Sequence, residues 1–173
     1  MVLKYETEIA STTKHIALKD GRLFRVQQNR TLASGAFHRY LFKTSPAKIS
    51  LLYNRTLLAY GAPFRIKTYV QPTITGNGTT IPIQNQNLGS SSIAGMSAFF
   101  TPTYSSIGTL ASVDISAGGT TGSGSNVTDL GDTSSQINEF ISPKDFSFIV
   151  EIENIDSATG EYVLTVVWEE IEE

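Results

Sequence analysis

Apolar and polar residues alternate along much of this chain with the period of two that buries one face of a β-strand. In residues 64–70, Phe64, Ile66 and Val70 fall on one face, and Arg65, Lys67 and Tyr69 on the other. In residues 146–153, Phe146, Phe148, Val150 and Ile152 oppose Ser147, Ile149, Glu151 and Glu153. Towards the end, Tyr162, Leu164, Val166 and Trp168 form an inward set, which assigns the single Trp to the core. The last two segments are joined by NIDSATGE, where Asn154, Asp156, Ser157 and Gly160 are turn formers, so they are predicted to pair as an antiparallel hairpin with a longer loop.

Weaker strand patterns cover 22–28, 36–44, 47–53, 98–102 and 109–115, the first three set apart by Asn29, Ser34-Gly35 and Ser45-Pro46. RTLLAY at 55–60 reads as a single helical turn ended by Gly61 and Pro63. Many short strands with hardly a helix predict an all-β fold, an antiparallel β-sandwich of jelly-roll type. The segment 116–135 has five Gly and no aromatic residue, and is expected to be an exposed flexible loop. The predicted organisation is one sandwich domain over 21–173, preceded by an arm or first strand at 1–20.

A chain of 173 residues suffices for one domain that buries roughly 70% of its unfolded surface. It has no Cys, so the fold must rest on packing and hydrogen bonds, which suits a reducing compartment. Lys4, Glu6 and Glu8 interrupt the start where a signal peptide needs an apolar core, and no apolar run approaches the ~20 residues of a membrane span. Neither secretion nor a membrane partner is expected.

Net charge is −3, but it is divided along the chain. Residues 1–70 hold twelve of the thirteen Lys and Arg against Glu6, Glu8 and Asp20, whereas residues 71–173 hold thirteen acids against Lys144. Two readings follow. Strands from the two halves lie side by side and pair their outward charges, or the molecule is bipolar and steers its own docking.

Chemical equipment is sparse, and no catalytic residue, metal site or cofactor is expected. His15 and His38 fall in separate predicted strands without Cys or carboxylates at ligand spacing. Glu151 and Glu153 have the spacing of exposed strand positions, and EEIEE at 169–173 reads as a solvated tail. The glycine pairs at 76–78 and 122–124 lack the Lys and helix of a phosphate loop. Arg22, Arg25, Arg30, Arg39, Arg55 and Arg65 interleave with Phe24, Phe37 and Tyr40, a pattern open to nucleic acid. The core needs the same aromatics and the pI is about 5.4, so no nucleic-acid partner is expected.

The stretch TITGNGTTIPIQNQN (73–87) is uncharged and rich in Thr, Asn and Gln. Gly76, Asn77 and Gly78 suit a tight turn with positive φ. The residues after it form either a hydrated edge loop or a strip of neutral donors and acceptors that pairs with a neighbour.

From residue 47 onward the order of features resembles a family of small tailed-phage virion proteins, the capsid decoration, cement or head auxiliary proteins. ITGNGTTIPIQNQN (74–87), FISPKDFSFIVEIEN (140–154) and Val167-Trp168-Glu169 carry the resemblance. It implies a non-enzymatic structural protein on the capsid exterior, assembled in the bacterial cytoplasm, with the major capsid protein as partner and a homotrimeric state. On that reading Arg22, Arg25 and Arg30 are the expected capsid contacts, and Asn77, Gln84, Asn85 and Asn87 pair subunits. A glycan- or receptor-binding module of a phage tail or head fibre is the alternative, with Tyr53, Tyr60, Tyr69 and Tyr104 as its candidate aromatic platform.

Overall fold

A computed structural model describes residues 15–116, 126–129 and 140–172, with backbone alone at 54, 126–129 and 140. After a short helix at 15–19 come four longer strands: β1 (Leu23–Leu32), β2 (Phe37–Lys43), β3 (Lys48–Tyr60) and β4 (Phe64–Val70). A run of short strands follows: β5 (Thr73–Gly76), β6 (Thr79–Thr80), β7 (Gln84–Asn85), β8 (Ser97–Phe100) and β9 (Thr103–Ser106). The chain then resumes with β10 (Thr109–Ser116), β11 (Asn126–Asp129), β12 (Phe140–Ser142), β13 (Ser147–Asn154) and β14 (Gly160–Glu172).

The first sheet has the order β11-β3-β14-β1-β7, with β12 also paired to β3, and the second has the order β10-β4-β13-β2-β8-β6. β5 and β9 form a separate ribbon. Let β11 and β12 share one position along β3, so that eight strands build the sandwich. One sheet then holds the first, eighth, third and sixth, and the other the second, seventh, fourth and fifth. Every pairing is antiparallel. This interleaving is the jelly-roll order, and the all-β sandwich reading of the sequence holds.

Alternation builds the core as expected. Phe64 and Ile66 of β4, Phe148, Val150 and Ile152 of β13, and Tyr162, Leu164, Val166 and Trp168 of β14 are buried in one cluster with Phe24, Tyr40, Phe42, Leu52 and Leu57. Each such large side chain is worth roughly 1.5–3 kcal/mol of burial. Phe42 stacks on Phe148 with ring centroids 5.0 Å apart. Leu41 and Ile149 occupy opposite parity and are also fully buried, although neither belongs to that cluster. They are register partners on the outer face of the second sheet.

Several expectations are overturned. RTLLAY is no helical turn: β3 runs through it, and a register shift at Val167/Trp168 leaves Tyr53 as an extra residue. The bulge breaks the period of two and splits one strand into two apparent segments. β13 and β14 make no hairpin, because β13 pairs β2 and β4 whereas β14 pairs β1 and β3. The connection is a corner between sheets, and turn formers serve either geometry. Asn154 pins this corner, donating to Leu32 O at 2.9 Å and Ala158 O at 2.8 Å while accepting from Asp156 N at 2.9 Å. Within the expected loop at 116–135, Ser116 ends β10 and residues 126–129 form β11 on β3, while 117–125 and 130–135 lie outside the described residues. His15 lies in the short helix, not in a strand.

Candidate interaction surfaces

Jelly-roll order has an electrostatic consequence for a chain divided into basic and acidic halves. It inserts acidic β13 between basic β2 and β4, and β14 between β1 and β3. On the outer face of the second sheet, Glu151 stands opposite Arg39 and Lys67, and Glu153 opposite Arg65. Glu151 bonds Arg39 at 2.6 Å and Lys67 at 3.1 Å, and Glu153 bonds Lys67 at 3.1 Å and Arg65 at 3.2 Å. The Lys67 hydrogen bond is the main reason that the Glu153 carboxyl is held below its ordinary value. The charge division is therefore spent on pairing across strands.

Two acidic positions differ from the sequence reading. Glu151 is buried at 5% exposure, not an open strand position. Glu169 and Glu170 of the supposed tail are buried as well. Glu169 accepts from Arg22 and from the Tyr53 hydroxyl. Glu170 accepts from the backbone N–H of Gly95 and Met96, both at 2.7 Å, and from Trp168 Nε1 at 3.2 Å, with Lys48 Nζ 3.7 Å away. Apart from Trp168, these partners come from distant parts of the chain, so local pattern carried no sign of them. Among the described residues of that segment, Glu172 behaves as a solvated end, with its side chain 83% exposed.

The three arginines expected to dock each have a partner within the chain. Arg22 is held by Glu169 and Asp20, Arg25 donates to Gln84 Oε1 at 2.9 Å, and Arg30 lies over the Phe100 ring at 4.7 Å. The six interleaved arginines do not form a basic stacking face, since Arg39 and Arg65 are paired with acids while Phe24 and Tyr40 are core residues. The four amides expected to face a neighbour have partners within the chain. Asn77 accepts from Lys43 at 3.1 Å, and Gln84 accepts from Arg25. Asn85 donates to Gly21 O at 2.8 Å and Ser92 O at 3.1 Å, and Asn87 donates to Lys19 O at 3.0 Å. Gly78 does take a positive φ of +87°, where an added Cβ would meet Phe100 O at 2.2 Å, but no tight turn forms at 76–78: residues 77–78 link β5 to β6 without a bend, and those strands pair with β9 and β8, not with each other. The tyrosines make no single platform either. Tyr69 and Tyr104 are neighbours near Arg39 on the second sheet, whereas Tyr53 and Tyr60 belong to β3 in the first.

One polar network crosses the core. His38 Nδ1 lies 2.7 Å from the Tyr162 hydroxyl, which lies 2.6 Å from that of Tyr40, and Arg30 stands beside Tyr40. A neutral His38 satisfies every link: Arg30 donates to Tyr40, Tyr40 to Tyr162, and Tyr162 to Nδ1. Burial pushes Tyr40 up to about 12 and raises Tyr162 further. Burial and then the charge of Arg30 lower His38 below its ordinary 6.5.

Sequence reasoning did not single out the full extent of the uncharged stretch. From Thr68 to Val113 there is no Asp, Glu, Lys, Arg or His. This excursion joins β4 to β10, and its middle covers the edge of the sandwich, with β7 paired to β1 and β8 to β2. Ile81 is buried in the core cluster and Ile83 packs against it, with Pro82 exposed between them. Ile81, Pro82 and Ile83 share the lining of an open groove of about 600 Å³ with Phe24, Ile93, Ala94, Met96 and Phe99.

The molecule is thus a jelly-roll β-sandwich with an ion-paired outer sheet face and an uncharged groove. No protein-family model matches the chain, and no curated protein does. Among solved structures, an unassembled KI polyomavirus VP1 pentamer aligns with 86% of this chain and 75% of its own, at 10% identity and a TM-score of 0.17. The infectious bursal disease virus VP2 subviral particle aligns with 88% of this chain and 42% of its own, at 10% identity and the same TM-score of 0.17. Superposition at that level carries no argument about function.

Proposed function

We propose that this chain is a non-enzymatic structural protein of a tailed-phage virion that binds the capsid exterior, bridges major capsid protein subunits, and does so as a homotrimer. The observation that carries the reading is the complete jelly-roll strand order, an architecture that viral capsid and lectin domains share. The resemblance of residues 47–170 to decoration proteins supports it on separate grounds. Arg22 is ion-paired to Glu169 within the chain, and the uncharged excursion offers a neutral contact surface beside the arginines. The mechanism is linkage: a ligand that binds only the assembled lattice stabilises that lattice, and the repeated shell multiplies a modest contact.

The reading predicts that capsids lacking accessory proteins gain heat resistance when the purified chain is added at saturation. Particle integrity, followed by release of packaged DNA on a temperature ramp, is the measurement. An unchanged release temperature counts against bridging.

A further inference from the structure

Residues 86–95 present two of the most exposed large apolar side chains among the described residues, Leu88 at 95% and Ile93 at 85%. The turn that carries them is stapled. Asn87 Oδ1 accepts from Gly89 N at 3.0 Å, Ser90 N donates to Asn87 O at 3.0 Å, and Ser92 N donates to Ser90 Oγ at 3.1 Å. The Asn85 and Asn87 amides tie the same turn to Ser92, Gly21 and Lys19. A turn fixed in this way holds Leu88 out in water, where a mobile loop could collapse onto the sandwich. Beside it lies the groove walled by Ile81, Pro82, Ile83, Ala94, Met96 and Phe99.

The projecting side chain and all of the groove's lining except Phe24 belong to the uncharged stretch from Thr68 to Val113. In a molecule where one residue in six is charged, that neutrality favours one kind of occupant. A foreign partner gains specificity from complementary charge, whereas a contact between identical chains gains from having no like charges to bring together. We propose that Leu88 of one copy seats in the groove of a second copy, so that this face is the self-association surface of the protein. The amides at 85 and 87 act as positioning residues that aim the turn. The inference rests on the self-association part of the proposed function and is independent of capsid binding.

Sedimentation velocity of the full-length chain across a wide concentration range provides the test. The wild type should exceed its 18.8 kDa monomer mass. Leu88→Asp should dissociate at least about tenfold more readily with an unchanged far-ultraviolet circular-dichroism spectrum, as burying an unpaired carboxylate requires. A wild type that is monomeric throughout overturns both self-association and this surface. An oligomer that Leu88→Asp leaves intact overturns the surface alone. Should Leu88→Asp fail to fold, a cross-link decides, because the natural chain has no Cys. Leu88→Cys combined with Ile83→Cys should give covalent multimers on a non-reducing gel beyond those of Leu88→Cys by itself. Monomers alone would reject the proposal.

Discussion

At the scale of single residues, His38 makes the sharpest prediction. Protonation turns Nδ1 from acceptor to donor, so Arg30 and His38 would donate from both ends of a chain whose two middle members each carry a hydroxyl hydrogen. One hydrogen is then left without an acceptor in a buried place. The folded state therefore binds this proton less readily than the unfolded state, in keeping with a folded pKa below 6.5. For a base with a depressed folded pKa, stability is full above the unfolded value, falls as pH drops below 6.5, and levels off under the folded pKa. Urea midpoints should decline through that window, above the range where Glu153 begins to lose its own contribution as pH falls below 4.5. His38→Gln should flatten the decline, and an identical profile in that variant would show that His38 does not control it. None of this was visible in the sequence, since Tyr162 is 124 residues away.

Individual elements were legible where alternation was regular and their environment was local. β4, β13 and β14 follow their sequence pattern, and Trp168 is inward and fully buried. β3 was misread because its bulge shifts the phase between Leu52 and Leu57. The β13–β14 corner was misread because Asn154, Asp156 and Gly160 mark a reversal without saying which sheet receives the next strand. The amides of the 73–87 segment were legible as hydrogen-bonding groups, but not their direction. Their partners Gly21, Lys19, Arg25 and Lys43 lie far upstream, and folding alone brings them near.

The acidic strand between two basic ones yields a prediction at this same scale. Removing Glu151 leaves Arg39 without its carboxylate and Lys67 with Glu153 alone, both bases being only about a quarter exposed. Glu151→Ala should cost about 2–3 kcal/mol, below the usual toll for a fully buried pair because solvent screens both bases. Glu172→Ala, at an exposed pair, should cost less than about 0.5 kcal/mol. Equal urea midpoints for the two variants would contradict the ladder as a stabilising device.

For the whole molecule, jelly-roll topology links the sequence's charge division to ion pairs between neighbouring strands. Among the described residues, Arg22, Arg39, Lys48, Arg65 and Lys67 of the basic half all meet acids of the other half. The uncharged excursion, with its groove and its projecting Leu88, stands apart from these ion pairs. Such a surface suits dense, repeated assembly, where apolar fit outlasts changes in salt. The most direct test of a capsid role is co-sedimentation of the purified chain with mature capsids stripped of accessory proteins. Binding should saturate at a fixed ratio to the major capsid protein, with the ratio identifying the symmetry site. Absence of binding, or uptake that rises without saturating, would contradict the proposed capsid-decoration role.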